Sequence, residues 1–243
     1  MTFDPTPQRL RWAEKRAEAL REAYGALDGI DLLRVMIKDE FPGRIAITSS
    51  FGAEAAVLLD LVARVDPATP VIVLDTGRLF PETYEYIDRL RAHLGLKDLR
   101  LQRPSDEEVV AKDADGTLYQ TDPDSCCHMR KTKPLADALR AFDAWVTGRK
   151  RFHGASRGSL ETIEGVNGRI KINPLATWQQ AWIEDALEER NLPRHPLVEQ
   201  GYLSIGCTTC TAAVKPGEHS RAGRWRGSDK SECGIHVPLR VAQ

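Results

Sequence analysis

Short apolar segments alternate with amphipathic segments through most of this chain, and the alternation limits the folds open to it. The runs at 44–48 and 71–74 have the composition of buried strands, and each is followed by a segment with helical spacing of its apolar residues. Strands and helices that alternate at this spacing form a mostly parallel sheet with helices on both faces. The whole pattern predicts strands at 44–48, 71–74, 98–101, 144–147 and 170–172, and helices at 8–24, 28–40, 53–61, 81–94 and 178–190.

The chain length favours one structural domain with appendages. Its 243 residues are enough for a single sizeable α/β core. We expect residues 1–40 to be helical and to pack on that core, which spans 41–200. Residues 201–243 are rich in glycine and basic residues, with too few apolar residues for a core of their own. This last segment is predicted to be an irregular, partly mobile tail over the sheet edge.

Charge and hydropathy give no support for binding to nucleic acid or to a membrane. A formal net charge of -1 offers no global argument for binding nucleic acid or a membrane surface. No run approaches the about 18 apolar residues of a membrane span, and the N-terminus lacks the apolar stretch of an export signal. We therefore expect a cytoplasmic protein, in which thiols stay reduced.

Two loops of small and polar residues follow the first two predicted strands. Ser49, Ser50, Phe51 and Gly52 come after the first strand, and the turn at 75–77 (Asp75, Thr76, Gly77) comes after the second. Ligands of such folds lie at the carboxyl ends of the strands. The first loop also precedes a predicted helix, so it fits a phosphate cradle as well as an ordinary tight turn. It lacks the Gly-Lys-Ser/Thr ending of a P-loop.

Four of the five cysteines have the spacing of a metal site. Cys126 and Cys127 are adjacent, and Cys207 and Cys210 form a C-x-x-C. Adjacent Cα atoms lie about 3.8 Å apart, which is too close for an unstrained disulfide. Four thiolates suit zinc or an iron–sulfur cluster, and the spacing alone leaves both open. Four unrelated buried thiols are the alternative.

The fifth cysteine, Cys233, is set among cationic residues near the end of the chain. Positive charge favours the thiolate, which is the nucleophilic form, and an anionic substrate would use the same charge. An inert thiol on a solvated basic face is the alternative. The cationic or basic residues that could act with Cys233 are Arg130, Lys131, Arg157, Arg221, Arg224, Arg226, Lys230 and His236.

Five motifs in order resemble those of the assimilatory adenylyl-sulfate and phosphoadenylyl-sulfate reductases. They are S-S-F-G, V-L-D-T-G-R-L-F-P-E-T-Y, C-C-H-M-R-K, G-C-T-T-C and E-C-G-I-H. The resemblance covers about residues 44–236 and is most specific at E-C-G-I-H with the paired cysteines. It implies an adenine-nucleotide hydrolase-like three-layer sandwich, with 41–200 as the nucleotide-binding core. The implied reaction is the reduction of adenylyl sulfate to sulfite and AMP, in assimilatory sulfate reduction and cysteine biosynthesis.

The resemblance also implies roles for individual residues. Cys233 would attack the sulfate sulfur and become S-sulfonated, and a separate thioredoxin- or glutaredoxin-type protein would release sulfite. Family members with four extra cysteines carry a [4Fe–4S] cluster and generally prefer adenylyl sulfate, which assigns the cluster to Cys126, Cys127, Cys207 and Cys210. The implied phosphosulfate contacts are Lys131, Arg157, Arg221 and Arg224 with His236 nearby, and the implied phosphate and ribose contacts are Ser49, Ser50, Phe51, Gly52, Asp75, Thr76 and Gly77.

Other functions stay open on the sequence. The loop S-S-F-G-A-E-A-A is closer to users of the 3′-phosphorylated substrate, so phosphoadenylyl-sulfate reduction or dual specificity is the first alternative. A nucleotide- or tRNA-modifying relative of the ATP pyrophosphatases is disfavoured because S-G-G-x-D-S is absent. A non-enzymatic metal-binding redox sensor is the third alternative. A homo-oligomer is an expectation by analogy with the family.

Overall fold

Six strands form one sheet in the part of the chain that the computed structural model describes, which comprises residues 5–154, 157–228, 230 and 232–236. The strands are β1 (Ile45–Ser49), β2 (Val71–Leu74), β3 (Leu99–Gln102), β4 (Ala144–Val146), β5 (Ile163–Val166) and β6 (Arg169–Ile172). In space they lie in the order β3-β2-β1-β4-β6-β5. Neighbouring strands are parallel except β5 and β6, which are antiparallel.

Helices connect the strands, and several begin at clear sequence signals. In α1, Pro7 is the first residue and the Thr6 side chain accepts a hydrogen bond from Arg9 N. Helix α4 begins at a proline and ends at Gly95, whose φ of 65° favours glycine. The helices are α1 (Pro7–Tyr24), α2 (Gly29–Val35), α3 (Ala55–Val65), α4 (Pro81–Leu94), α5 (Asp106–Asp113), α6 (Leu118–Thr121), α7 (Pro123–Cys127), α8 (Lys133–Ala138) and α9 (Gln180–Glu189). None of the helices in the described ranges is long and apolar enough to cross a membrane.

Alternate residues of the central strands face two helical layers. Ile45 and Ile47 of β1 join the main core, which also contains buried residues of α1, α2, α3, α4 and α9. Ala46 of β1 faces the opposite side, where it belongs to a smaller core with Leu135 of α8 and Trp145 of β4. The period of two along a strand thus places helices on both faces of the sheet. The predicted α/β three-layer sandwich is confirmed.

The chain folds back so that α1 covers the hairpin of β5 and β6. Arg21 Nη1 donates a hydrogen bond to Ile163 O at 2.9 Å. The approach is close at Gly165, where a Cβ atom would lie 2.7 Å from Ala13 O. Glycine at this position therefore lets the helix backbone lie directly on the strand.

The structure differs from the sequence prediction in three places. Strand β5 was not predicted, although the Asn167-Gly168 turn that follows it has positive φ at both residues and is a strong hairpin signal. The predicted helix at 28–40 is α-helical only to Val35 and continues as a π-helical turn, Met36–Glu40. Helices α5 to α8 were also not predicted. Residues 1–4 of the predicted N-terminal segment, and 229, 231 and 237–243 of the predicted tail, lie outside the described residues.

Residues 201–228 fold over the carboxyl edge of the sheet with little regular structure. Leu79, just after β2, bridges to Cys207, and Thr211 bridges to Arg224. Strand order reverses at β1, since β2 lies on one side of it and β4 on the other. Parallel sheets bind ligands outside the carboxyl ends of the strands at such a reversal.

Candidate functional site

A cleft of about 220 Å³ lies at the reversal point between β1 and β4. Its floor comes from the carboxyl ends of both strands, Thr48–Ser50 and Thr147–Lys150, and its wall comes from the segment after residue 200. Nine of the residues predicted to form the site line this cleft: Ser49, Ser50, Gly52, Lys131, Arg157, Arg221, Arg224, Cys233 and His236. The structure therefore brings together residues from four separate parts of the chain.

The first loop is held in a tight conformation by its own side chains. Ser49 Oγ accepts a hydrogen bond from Phe51 N at 3.1 Å. Phe51 has a φ of 47° and is fully buried in the main core, so it anchors the loop and does not line the cleft. A Cβ atom at Gly52 would lie 3.4 Å from Ile205 O, because the last segment of the chain runs close above it. The loop thus presents its two serines and its backbone to the cleft.

The turn after β2 lies behind the cleft. Asp75 is fully buried and accepts hydrogen bonds from Tyr84 Oη at 2.6 Å and from Gly77 N at 3.0 Å, and it pairs with Arg103 at 2.7 Å. Thr76 Oγ1 lies 3.3 Å from Cys207 Sγ and shares a hydrogen bond with it. Neither Asp75, Thr76 nor Gly77 lines the cleft. Their contacts instead join the sheet to the cysteine region.

The four clustered cysteines come from two segments that converge beside this turn. Cys126 and Cys127 lie in α7, whose N-terminus is capped by the Asp122 side chain, and all four thiols are free. Cys126, Cys127 and Cys207 are buried, and the Cys207 thiol interacts electrostatically with both others. Burial raises the pKa of Cys127 to about 12. Within the described ranges, no group of three or more His, Cys, Asp or Glu side chains is arranged to hold a single metal ion.

A buried ionic network supports the cysteine region. Arg130, in the π-helical turn after α7, donates to Asp113 Oδ2 at 2.6 Å and to Thr76 O at 2.8 Å. Arg78 Nη2 donates to the same carboxylate at 3.2 Å, and Leu118 N donates to Oδ1 at 2.8 Å. Arg130 is buried, so it contributes to this framework rather than to the surface of the cleft. The sequence reasoning missed Asp113 because nothing in its surroundings indicates which arginines it meets.

Basic residues after β4 also line the cleft and were not predicted. Arg149 pairs with Glu164 at 2.5 Å, and Lys150 forms an ion pair with Glu54. Burial by itself would raise the pKa of Glu54, but a hydrogen bond from His153 and the charge of Lys150 lower it to about 2. The sequence signal for Arg149 and Lys150 was their position, because they follow a strand that ends at the same edge of the sheet as β1.

The segment around Cys233 reaches into the cleft. Cys233 is half-buried and interacts electrostatically with Lys131 and Arg221. Glu232, the residue before it, pairs with Arg157 at 2.6 Å and approaches Arg221 at 3.6 Å. The Cys233 thiol therefore lies in a cationic part of the cleft.

Several donors in the cleft have no acceptor among the described residues. Arg149 Nε, Arg224 Nε and Trp225 Nε1 are buried and form no hydrogen bond. Buried donors are nearly always satisfied in folded proteins, so unpaired ones in a cleft point to a ligand with acceptor atoms. Together with the surplus of cations, they favour an anionic ligand.

Comparison with known proteins identifies the family of this chain. A family profile described as "Phosphoadenosine phosphosulfate reductase domain" matches residues 44–213. A protein of Chelativorans sp. named adenosine 5'-phosphosulfate reductase is 46% identical over 229 residues, which is 93% of each chain. A protein of the same name from Mesorhizobium japonicum is 44% identical over 222 residues, or 91% of this chain and 87% of that one.

A solved structure extends the similarity to the fold. The phosphoadenylyl-sulfate reductase from Candida auris, described as a phosphate complex, superimposes with a TM-score of 0.68 at 28% identity. The match covers 82% of this chain and 97% of that chain. The profile match and the two bacterial relatives show that this chain belongs to the phosphoadenosine phosphosulfate reductase family.

Proposed function

We propose that this protein reduces adenylyl sulfate to sulfite and AMP in sulfate assimilation. The observation that carries the proposal is the Cys233 thiol, which lies in a cationic cleft at the strand-order reversal of an α/β sheet. Relatives named adenosine 5'-phosphosulfate reductase support the choice of substrate. The unpaired donors of the cleft support an anion as its ligand.

The cleft suggests how the substrate lies. The phosphosulfate would meet Lys131, Arg221 and Arg224, which line the cavity. Arg157 and His236 also line it, where Arg157 is paired with Glu232. The phosphate and ribose would meet the first loop through Ser49, Ser50 and Gly52. Phe51, Asp75, Thr76 and Gly77 would act from behind, by fixing that loop and the cysteine region.

The chemistry requires no group in the chain beyond a thiolate and cations. The Cys233 thiolate attacks the sulfate sulfur, forming an S–S bond while the bond from that sulfur to the bridging oxygen breaks. AMP leaves with the electron pair, and Lys131, Arg221 and Arg224 stabilise the charge that builds on it. A dithiol protein then attacks Cys233 Sγ and expels sulfite. Its second thiol resolves the mixed disulfide, so the dithiol supplies both electrons and becomes a disulfide.

The residues present fit a [4Fe–4S] cluster. Cys126, Cys127, Cys207 and Cys210 are free thiols from two segments that converge beside Lys131. Four cysteine thiolates are the usual ligand set of such a cluster. When bound, the cluster would contribute electrostatic and structural support to the sulfate end of the cleft.

The partner and the compartment follow from the same chemistry. A thioredoxin- or glutaredoxin-type dithiol protein is the proposed reductant, because the second half-reaction needs two neighbouring thiols. Free cysteines persist in the cytoplasm, which is the proposed location. A homo-oligomer is proposed by analogy with the family alone.

Phosphoadenylyl sulfate is the alternative substrate. The first loop and the Candida auris relative named for that substrate both favour it. The two substrates differ by a 3′-phosphate, so the preference is read directly from paired assays.

The experiment measures sulfite release by anaerobically prepared protein with a dithiol reductant. Adenylyl sulfate and its 3′-phosphorylated form are compared side by side, with Cys233→Ser as the inactive variant. We expect a strong preference for adenylyl sulfate, no sulfite from Cys233→Ser, and unchanged iron content in that variant. Cys207→Ser should lose iron. Sulfite production by Cys233→Ser would refute the proposed role of the thiol, and a reversed preference would establish the alternative substrate.

A further inference from the structure

Cys233 is held in the cleft by contacts on both sides of it in the sequence. Lys230, three residues before, forms an ion pair with Asp124 of α7. His236, three residues after, stacks on Trp145 with ring centroids 6.1 Å apart and an interplanar angle of 9°. The backbone oxygen of His236 also accepts a hydrogen bond from Lys171 Nζ at 3.4 Å. Of these anchoring contacts, the ion pair of Glu232 with Arg157 is the nearest to Cys233 in the sequence.

Each of the three guanidinium nitrogens of Arg157 donates a hydrogen bond to a protein group. Its Nε donates to Glu232 Oε1 at 2.6 Å and its Nη2 to Glu232 Oε2 at 3.0 Å. Its Nη1 donates to His153 Nδ1 at 3.2 Å, and only 7% of the residue is exposed. This two-point geometry fixes the carboxylate in orientation as well as in distance. An arginine used in this way has little left to offer a substrate anion.

Other cations of the cleft remain available to the substrate. Arg224 Nε has no partner among the described residues, and Lys131 also lines the cavity. The cleft therefore divides its positive charge between cations that pair with carboxylates of the chain, namely Arg149, Lys150 and Arg157, and others that line the cavity.

We propose that the Glu232–Arg157 ion pair is a positioning device that holds the Cys233 sulfur in line for attack, and that Arg157 is not a substrate ligand. The inference rests on the proposed function. Adjacent Cα atoms are about 3.8 Å apart, so fixing Glu232 also confines Cys233. Nucleophilic attack needs the reacting atoms to be placed within a fraction of an ångström, and a shift of about 1 Å lowers the rate about 100-fold.

The test separates positioning from substrate binding. Glu232→Gln removes the charge and keeps the shape of the side chain, and Arg157→Gln removes the other partner. Rapid mixing without reductant measures AMP release and S-sulfonation of Cys233 in a single turnover. Binding of adenylyl sulfate is measured in a Cys233→Ser background, in which no turnover occurs. The matched control is Glu218→Gln, which breaks the exposed pair of Glu218 with Arg226 in the same part of the chain.

We expect Glu232→Gln and Arg157→Gln each to lower the single-turnover rate about 10- to 100-fold. The Kd for adenylyl sulfate should change less than about twofold in both, because neither group contacts the substrate. The double variant should be no slower than the slower single variant, as for two residues that act as a unit. Glu232→Asp, which keeps the charge, should recover part of the rate, and Glu218→Gln should match the wild type.

Three results would overturn the inference. An unchanged rate in Glu232→Gln would show that the pair does not position the thiol. Tighter substrate binding by that variant would make Glu232 a competitor for the anion site. Weaker substrate binding by Arg157→Gln alone would make Arg157 a substrate ligand. Failure of the proposed function is distinct from all three, since the wild-type protein would then form no S-sulfonated Cys233.

Discussion

Replacing Asp113 with asparagine should destabilise the protein strongly, because this carboxylate holds two arginines. Its side chain is completely shielded from solvent and accepts hydrogen bonds from Arg130 at 2.6 Å and Arg78 at 3.2 Å. Asparagine keeps the size but removes the charge and turns an NH₂ group toward N–H donors. Arg130, which is also buried, would lose its counterion.

The magnitude follows from the burial of the ion pair that the substitution breaks. Removing one partner of a buried ion pair costs about 3–5 kcal/mol, because the remaining charge is left uncompensated. For a chain of this size, each kcal/mol of lost stability lowers the midpoint of thermal unfolding by about 2–4 °C, so the Tm should fall by about 6–20 °C. The matched control is Asp137→Asn, which breaks an exposed i,i+3 pair with Arg140 and should cost about 1 kcal/mol or less.

The difference in stability between the wild type and each variant is measured by anaerobic thermal unfolding, followed by circular dichroism, and by urea titration. Burial alone would raise the pKa of Asp113, but the hydrogen bonds from Arg130 and Leu118 N lower it. A carboxylate with a lowered pKa stabilises the fold above its unfolded pKa, and that contribution is lost as the pH falls. The gap between wild type and Asp113→Asn should therefore shrink below about pH 4. A destabilisation at pH 7 no larger than that of Asp137→Asn would refute the reasoning.

Three further outcomes test other parts of the structure. Burial and nearby Arg149 lower the pKa of Lys171 to about 7, so wild-type stability should rise with pH between about 7 and 10.5. Lys171→Met should flatten this rise in urea titrations across that range, and an unchanged rise would contradict the reasoning. Burial lowers the pKa of His195 to about 4, so wild-type stability should fall as the pH drops from about 6.5 towards 4. In urea titrations, His195→Gln should lose about 1–2 kcal/mol less than the wild type between pH 7 and pH 5. Equal losses in the two proteins would count against this reasoning. Gly206→Ala places a Cβ atom 2.1 Å from Arg224 Nη1, so the Arg224 side chain must shift. Adenylyl sulfate should then bind about tenfold more weakly while the Tm stays unchanged. Unchanged binding would show that Arg224 does not contact the substrate.

The sequence predicted the parts of the fold that rest on local pattern. The parallel strands β1 to β4 and the helices α1, α3, α4 and α9 have strong apolar periodicity, and all were predicted within a few residues. Strand β5 was missed because Glu164 and Gly165 interrupt its apolar residues, although the Asn167-Gly168 turn was available as a signal. Helix α5 also had a signal, the Ser105 cap followed by Glu108 three residues later.

The residue types of the candidate site could be predicted from the sequence, but the ion pairs that these residues form could not. Cys233 and its cationic neighbours could be recognised in the sequence, because their residue types define their chemistry. Which cation faces the cavity depends on tertiary contacts, and the structure pairs Arg157 with Glu232 and buries Arg130 against Asp113. Arg149 and Lys150 could be assigned to the site only from the structure, in which β4 lies beside β1. Distances between residues far apart in sequence carry no local signal.

Helix α1 is synthesised early, yet the strand on which it lies is synthesised much later. Arg21 and Ile163, which share a hydrogen bond, are 142 residues apart. At a ribosomal rate of about 5–20 residues per second, this separation corresponds to about 7–28 s of translation. During that time the apolar face of α1, formed by Ala13, Ala17 and Leu20, has no sheet to cover it. Until the β5–β6 hairpin emerges, this apolar face is therefore open to contacts with other chains.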